Sequence, residues 1–208
     1  MSEELGKIEK PSVDSIKPGR KLYFVPLLYP GEDAPPEYNE MLARFWEQVR
    51  LQLLDLQSKL GRIGIIYHEL LPAGGDEAAQ AIKDLNADSH EIIKSYMEAG
   101  ATLEALEDAN LLTEFMDWSR CLMMGLQNPN VLNKVYEAYN EAGKKRNEHI
   151  IKKIDETLAP ETGGILFMRE SHQLQFPEDI QIFYISPPAL DEIKRWLRER
   201  QAESDKEA

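Results

Sequence analysis

Two hundred and eight residues, 42% hydrophobic and 29% charged, are enough for one ordinary folded domain with a sizeable core. Lys+Arg 24 against Asp+Glu 37 leaves a net charge of −13, which repels phosphate backbones and argues against nucleic acid as a partner. The single cysteine, Cys121, excludes an intrachain disulfide framework and a cysteine-built zinc ribbon, and no apolar run approaches the roughly 18 residues that a membrane span needs.

Residues 1–20 are polar, with Pro11, Pro18 and Gly19, and read as a tail. They contain no apolar signal core, so a cytoplasmic protein with a reduced Cys121 is expected. Residues 21–200 are expected to form a single domain and residues 201–208 a C-terminal tail.

The first predicted strand is Leu22–Leu28 (LYFVPLL), where Pro26 suggests an edge position or an early end. A helix follows over Glu37–Leu60, with apolar residues at Tyr38, Met41, Leu42, Phe45, Val49 and Leu53. Ile63–Leu71 (IGIIYHELL) predicts a second strand covered on both faces. Asp88, with Glu91 three residues on, has the form of a cap for a helix ending near Gly100. Thr102 can cap another, running to about Leu126, and Asn128-Pro129 opens a long helix to about Leu158. Ile165–Met168 and Ile180–Ile185 predict two more strands, and Pro188–Arg200 a closing amphipathic helix. The fold class is therefore α/β, a small mostly parallel sheet of about four strands with a large helical insertion between the second and third strands.

Charge placement points to a site. On a helix over Thr102–Leu126, Glu107 and Glu114 lie seven apart inside the arc of Leu103, Leu111, Phe115, Trp118 and Leu122. On the long helix, Arg146 and His149 interrupt the stripe of Val135, Tyr139, Ala142 and Ile150. Charges on apolar faces are paired or bind something. Two readings follow: an interhelical ion pair, Glu114 or Glu107 with Arg146, or a polar cleft of Glu107, Glu114, Arg146 and His149 that holds a small ligand. Met123, Met124 and the tryptophans read as core, although Trp46 and Trp196 on a surface would support a homodimer.

His68-Glu69 ends the second predicted strand and His172 follows the third, the end of a strand at which α/β sheets collect ligands. His172, His68 or Glu69 with a helical carboxylate forms a chemically sensible site for Mn, Co or Zn. No HExxH, GxSxG or GxxxxGK[ST] occurs in the chain.

Lys145-Arg146-Asn147, leading through HIIKKIDETL into GGILFMRESH, resembles the C-terminal half of the TraB-type family, which includes metal-dependent peptidases. LYFVPLLYP … IIYHE is similar to that family's opening strand–helix–strand. The resemblance implies site positions at Glu69, Arg146 and His172. Arg169 stands where the family's second motif has glycine, and Pro26–Tyr29 (PLLY) where its first has Gly-x-x-His. Two functions are therefore carried forward. One is a noncatalytic protein of the same architecture, whose buried polar cluster is structural or binds a small anion at Arg146 and His149. The other is a metal-dependent hydrolase acting on a small-molecule or peptide ligand, with His172, Glu69 and a helical glutamate as ligands and Arg146 as a clamp.

Overall fold

The computed structural model describes residues 19–31, 34–170 and 173–207. Its strands are β1 (Arg20–Pro26), β2 (Ile63–His68), β3 (Thr102–Glu104), β4 (Gly163–Met168) and β5 (Ile180–Tyr184). The helices are α1 (Pro36–Leu60), α2 (Gly75–Leu85), α3 (Ala87–Glu98), α4 (Ala109–Met123), α5 (Pro129–Thr157) and α6 (Pro188–Glu207). The sheet has the order β3-β2-β4-β1-β5, and every pairing is parallel.

Parallel strands need cover on both faces, and strand alternation distributes the chain's apolar residues accordingly. Tyr23 and Val25 of β1 face the layer of α1, α2, α3 and α6, and Leu22 and Phe24 face Ile150, Ile154 and Leu158 of α5. In β2 the register shifts between Ile63 and Ile65, so these two residues, two apart, join opposite layers. Gly64 at the shift leaves room for Thr162, whose Cγ2 would lie 3.0 Å from a Cβ there.

Several expectations change. A fifth strand, β3, occupies the start of the expected helix over 102–126, because Leu103 is drawn into the sheet beside Ile66. The helix begins instead at Ala109, where the Asp108 carboxylate accepts from the N–H groups of Asn110 and Leu111. Asn86, not Asp88, caps α3 by accepting from the Ser89 N–H. Pro26 is not on an edge strand: β1 lies between β4 and β5, and Pro26 closes it where the ladder is ending. Trp46 is buried, and Trp196 packs on Tyr38 with ring centroids 5.3 Å apart. Met123 and Met124, expected in the core, are each 76% exposed.

The length of α5 explains the exposed methionines. Its 29 residues extend about 43 Å, whereas a six-residue strand spans about 20 Å. Leu158 lies by Gly164 at the amino ends of the strands, and Arg146 lies by Glu69 at their carboxyl ends. Everything before Arg146 projects past the sheet, and α4 packs back along it to make a helical hairpin. Phe115 stacks on Tyr139 at 5.0 Å and meets Gly143. Among the described residues no helix is long and apolar enough to cross a membrane.

Candidate functional site at the carboxyl ends of the strands

Four charged side chains converge where β2, β4, the β3–α4 connection and α5 meet. Glu69 (1% exposed), Glu107 and Arg146 are buried, and Arg169 is half-exposed at the rim. The Arg146 Nε donates to Glu107 Oε2 at 2.9 Å and to Oε1 at 3.2 Å, and its Nη2 also reaches Oε1. The same guanidinium lies 3.9 Å from Glu69 Oε2 and over the Phe115 ring, 5.1 Å from its centroid. Glu69 Oε1 accepts from the Arg169 N–H at 3.1 Å and its Nε at 3.0 Å. Each carboxylate is thus held by an arginine, the arrangement that makes buried charge tolerable.

Glu107 also ties the backbone. Its Oε1 accepts from the Leu70 N–H at 3.0 Å, and its own N–H donates to the Leu71 carbonyl. Leu70 sits at φ 70°, left-handed and costly for a residue other than glycine. The carboxylate holds that turn in place, so the chain leaving β2 and the chain entering α4 are fixed to one another.

Burial pushes the Glu69 carboxyl above its ordinary range, with Arg169 and Arg146 opposing. His68 is fully buried, stacked on Phe167 with centroids 6.0 Å apart. Its Nδ1 lies 2.6 Å from the Glu69 carbonyl oxygen, which can only accept. The ring proton is therefore on Nδ1, and Nε2 is a bare lone pair without a partner among the described residues. Burial lowers the His68 pKa from 6.5 to about 4, so the ring is neutral at physiological pH. The Tyr29 hydroxyl, pushed up to about 12 by burial and then by Glu69, is likewise buried and unpartnered among the described residues.

Of the residues singled out in the sequence, Glu69, His68, Glu107 and Arg146 come together here. Arg146 takes Glu107, one of its two candidate partners. The other, Glu114, does not belong: Glu107 precedes α4 instead of lying on it, and Glu114 stands exposed on the outer face of α4 in a shallow hollow with Asn110, Asp117 and Trp118. His149, half-buried on α5, has no hydrogen bond or ion pair among the described residues. His172 lies outside the described residues. Among the described residues no three His, Cys, Asp or Glu side chains are placed to hold a metal ion. Tyr29 and Arg169 were not singled out as site residues, although each follows a predicted strand, the position that drew attention to His68 and Glu69.

Neither a family model, nor a curated protein, nor a solved structure matches the chain.

Proposed function

We propose that the protein is a noncatalytic relative of the TraB-type fold, in which the buried charge cluster anchors the α4–α5 hairpin to the sheet and Arg169 receives a small anion at the rim. The observation that supports this reading is how the carboxylates are used. Glu107 offers both oxygens to Arg146 and one to the Leu70 N–H, while Glu69 holds Arg169. A hydrolase of the metal-assisted kind needs a carboxylate free for a metal ion or a water, and both candidates are engaged by guanidinium groups. Arg146, its Nε and Nη2 turned onto Glu107, is poorly disposed to clamp a ligand.

Arg169 differs. Its backbone N–H and Nε are pinned to a buried carboxylate, and its Nη groups have no partner among the described residues. A guanidinium oriented in this way presents its remaining donors as a fork suited to a carboxylate or phosphate. Beneath it, the Tyr29 hydroxyl is buried and without a hydrogen-bond partner among the described residues. The half-buried, unpaired Cys121 suits a cytoplasmic setting.

The test is a thermal-shift titration at low ionic strength with inorganic phosphate and, separately, succinate. One of the two should raise the melting temperature of the wild type and leave that of Arg169→Gln unchanged. Stabilisation by Mn, Co or Zn, with no response to either anion, would replace this reading with the hydrolase.

A further inference from the structure

We infer that the α4–α5 hairpin is a self-association element, pairing with the hairpin of a second copy into an antiparallel four-helix bundle. The inference rests on the exposed face of the hairpin and is independent of what Arg169 binds.

The apolar arc of α4, from Trp118 through Phe115 to Met116, spans about 160° of the helix at about 100° per residue. One neighbouring helix covers an arc nearer 100°, and the neighbour α4 packs against is α5. In consequence α4 buries no residue completely, despite Leu111, Leu112, Phe115, Met116, Trp118 and Leu122.

The surplus lies on one side. With Phe115 turned toward α5 and Tyr139 toward α4, Met116 is about 100° further round its helix and Asn140 about 100° further round its own. The helices are antiparallel, so equal rotations bring both residues to the same side of the hairpin. Along that side α4 carries Ala109, Leu112, Met116, Ser119 and Met123, and α5 carries Asn133, Tyr136, Asn140, Gly143 and Asn147. Both sets alternate steps of three and four, the spacing of a coiled-coil seam, and α5 places asparagine at every seventh residue. Met123 and Tyr136 (51% exposed) remain open to solvent.

The chemistry of the seam selects its occupant. Not one of its ten residues is charged, in a chain with a net charge of −13. Two copies of so acidic a protein repel where carboxylates meet, but along this face they bring no like charges together. A strongly charged partner would find no counter-charge here. A two-helix layer doubled by a two-fold axis gives every helix two neighbours. Met116 and Asn140 stand midway along their stripes, so in an antiparallel pair each lies near the axis and meets its own counterpart. The seam on α4 is about 22 Å long and the two helices about 20 Å across, a footprint below that of a standard specific interface and in the range of weak association. A concentration-dependent dimer is the expected form.

Sedimentation velocity on the full chain, over two decades of concentration, tests this. The wild type should shift from monomer to dimer. Met116→Glu and Tyr136→Glu should stay monomeric with an unchanged circular dichroism spectrum, and Glu114→Lys, off the seam, should still dimerise. As a readout that tolerates a poorly folded charge variant, Asn140→Cys in a Cys121→Ser background should oxidise to a disulfide-linked dimer, and Met123→Cys in that background should not. A wild type that is monomeric throughout would overturn the proposal. So would a dimer that survives both charge variants, or cross-linking through Met123→Cys alone.

Discussion

Two arginines each hold two carboxylates, at opposite ends of the same sheet. At the amino ends Arg20 bonds Asp155 and Asp179, both at 2.7 Å. Asp155 is 47% exposed and Asp179 62%, so water shares the load. At the carboxyl ends Arg146 holds Glu107 and approaches Glu69, and neither carboxylate is more than 1% exposed. The number of partners is the same, but the consequences of loss differ. A solvated carboxylate that loses its arginine rehydrates, while a buried one is left charged in a medium that penalises it. Pairing at the amino ends trims the fold. At the carboxyl ends it compensates charge that water does not reach, and its loss is expected to loosen the hairpin.

The largest effect should come from removing the buried arginine. Arg146→Met leaves Glu107 and Glu69 facing one another without their shared cation and should cost about 3–5 kcal/mol in a urea titration. Hydrogen exchange should localise the damage: α4 and the projecting half of α5 should lose protection before β1 and β4 do.

Next in size is the acid response of His68, beside that cluster. Its folded pKa of about 4 lies below the ordinary 6.5, so the unfolded chain takes up the proton first as the pH falls. Stability on this account is full above about pH 7 and is lost as the pH drops from 6.5 toward 4, by about 3 kcal/mol in all. Glu69, with its raised pKa, works in the opposite sense. The comparison is therefore wild type against His68→Gln in urea titrations at pH 7.5 and pH 5. The wild type should lose more stability than the variant, and equal losses would mean that the ring is already solvated.

The smallest effect belongs to the amino ends. Arg20→Met should change the melting temperature by a small fraction of what Arg146→Met does, and added salt should shrink that fraction further. A loss at Arg20 as large as at Arg146 would erase the distinction between the two ends.

The two ends were also unequally legible in the sequence. The apolar runs of β1, β2 and β4 cannot belong anywhere but inside, and Arg146, charged on an apolar stripe, announces a buried partner. The identity of that partner was harder to read. Thr102–Leu103–Glu104 carries too few residues to distinguish a three-residue strand from a helical first turn, and only the adjacency of Ile66 makes it a strand. That displacement moved Glu107 off the helix and broke its apparent stacking with Glu114. Met123 and Met124 misled because periodicity records which residues are apolar and not whether the helix continues beyond its sheet. The excess length of α5 was present in the sequence, and comparing it with the short strand after it would have revealed the projection.

The central claim, that Glu107 and Arg146 form one structural unit and not two independent site residues, is tested most directly by a double-mutant cycle. Unfolding free energies are needed for the wild type, Glu107→Leu, Arg146→Met and the double variant. Each single change leaves one charge buried and uncompensated, so the account predicts that the double variant recovers much of the loss of either single. Losses that simply add would contradict it.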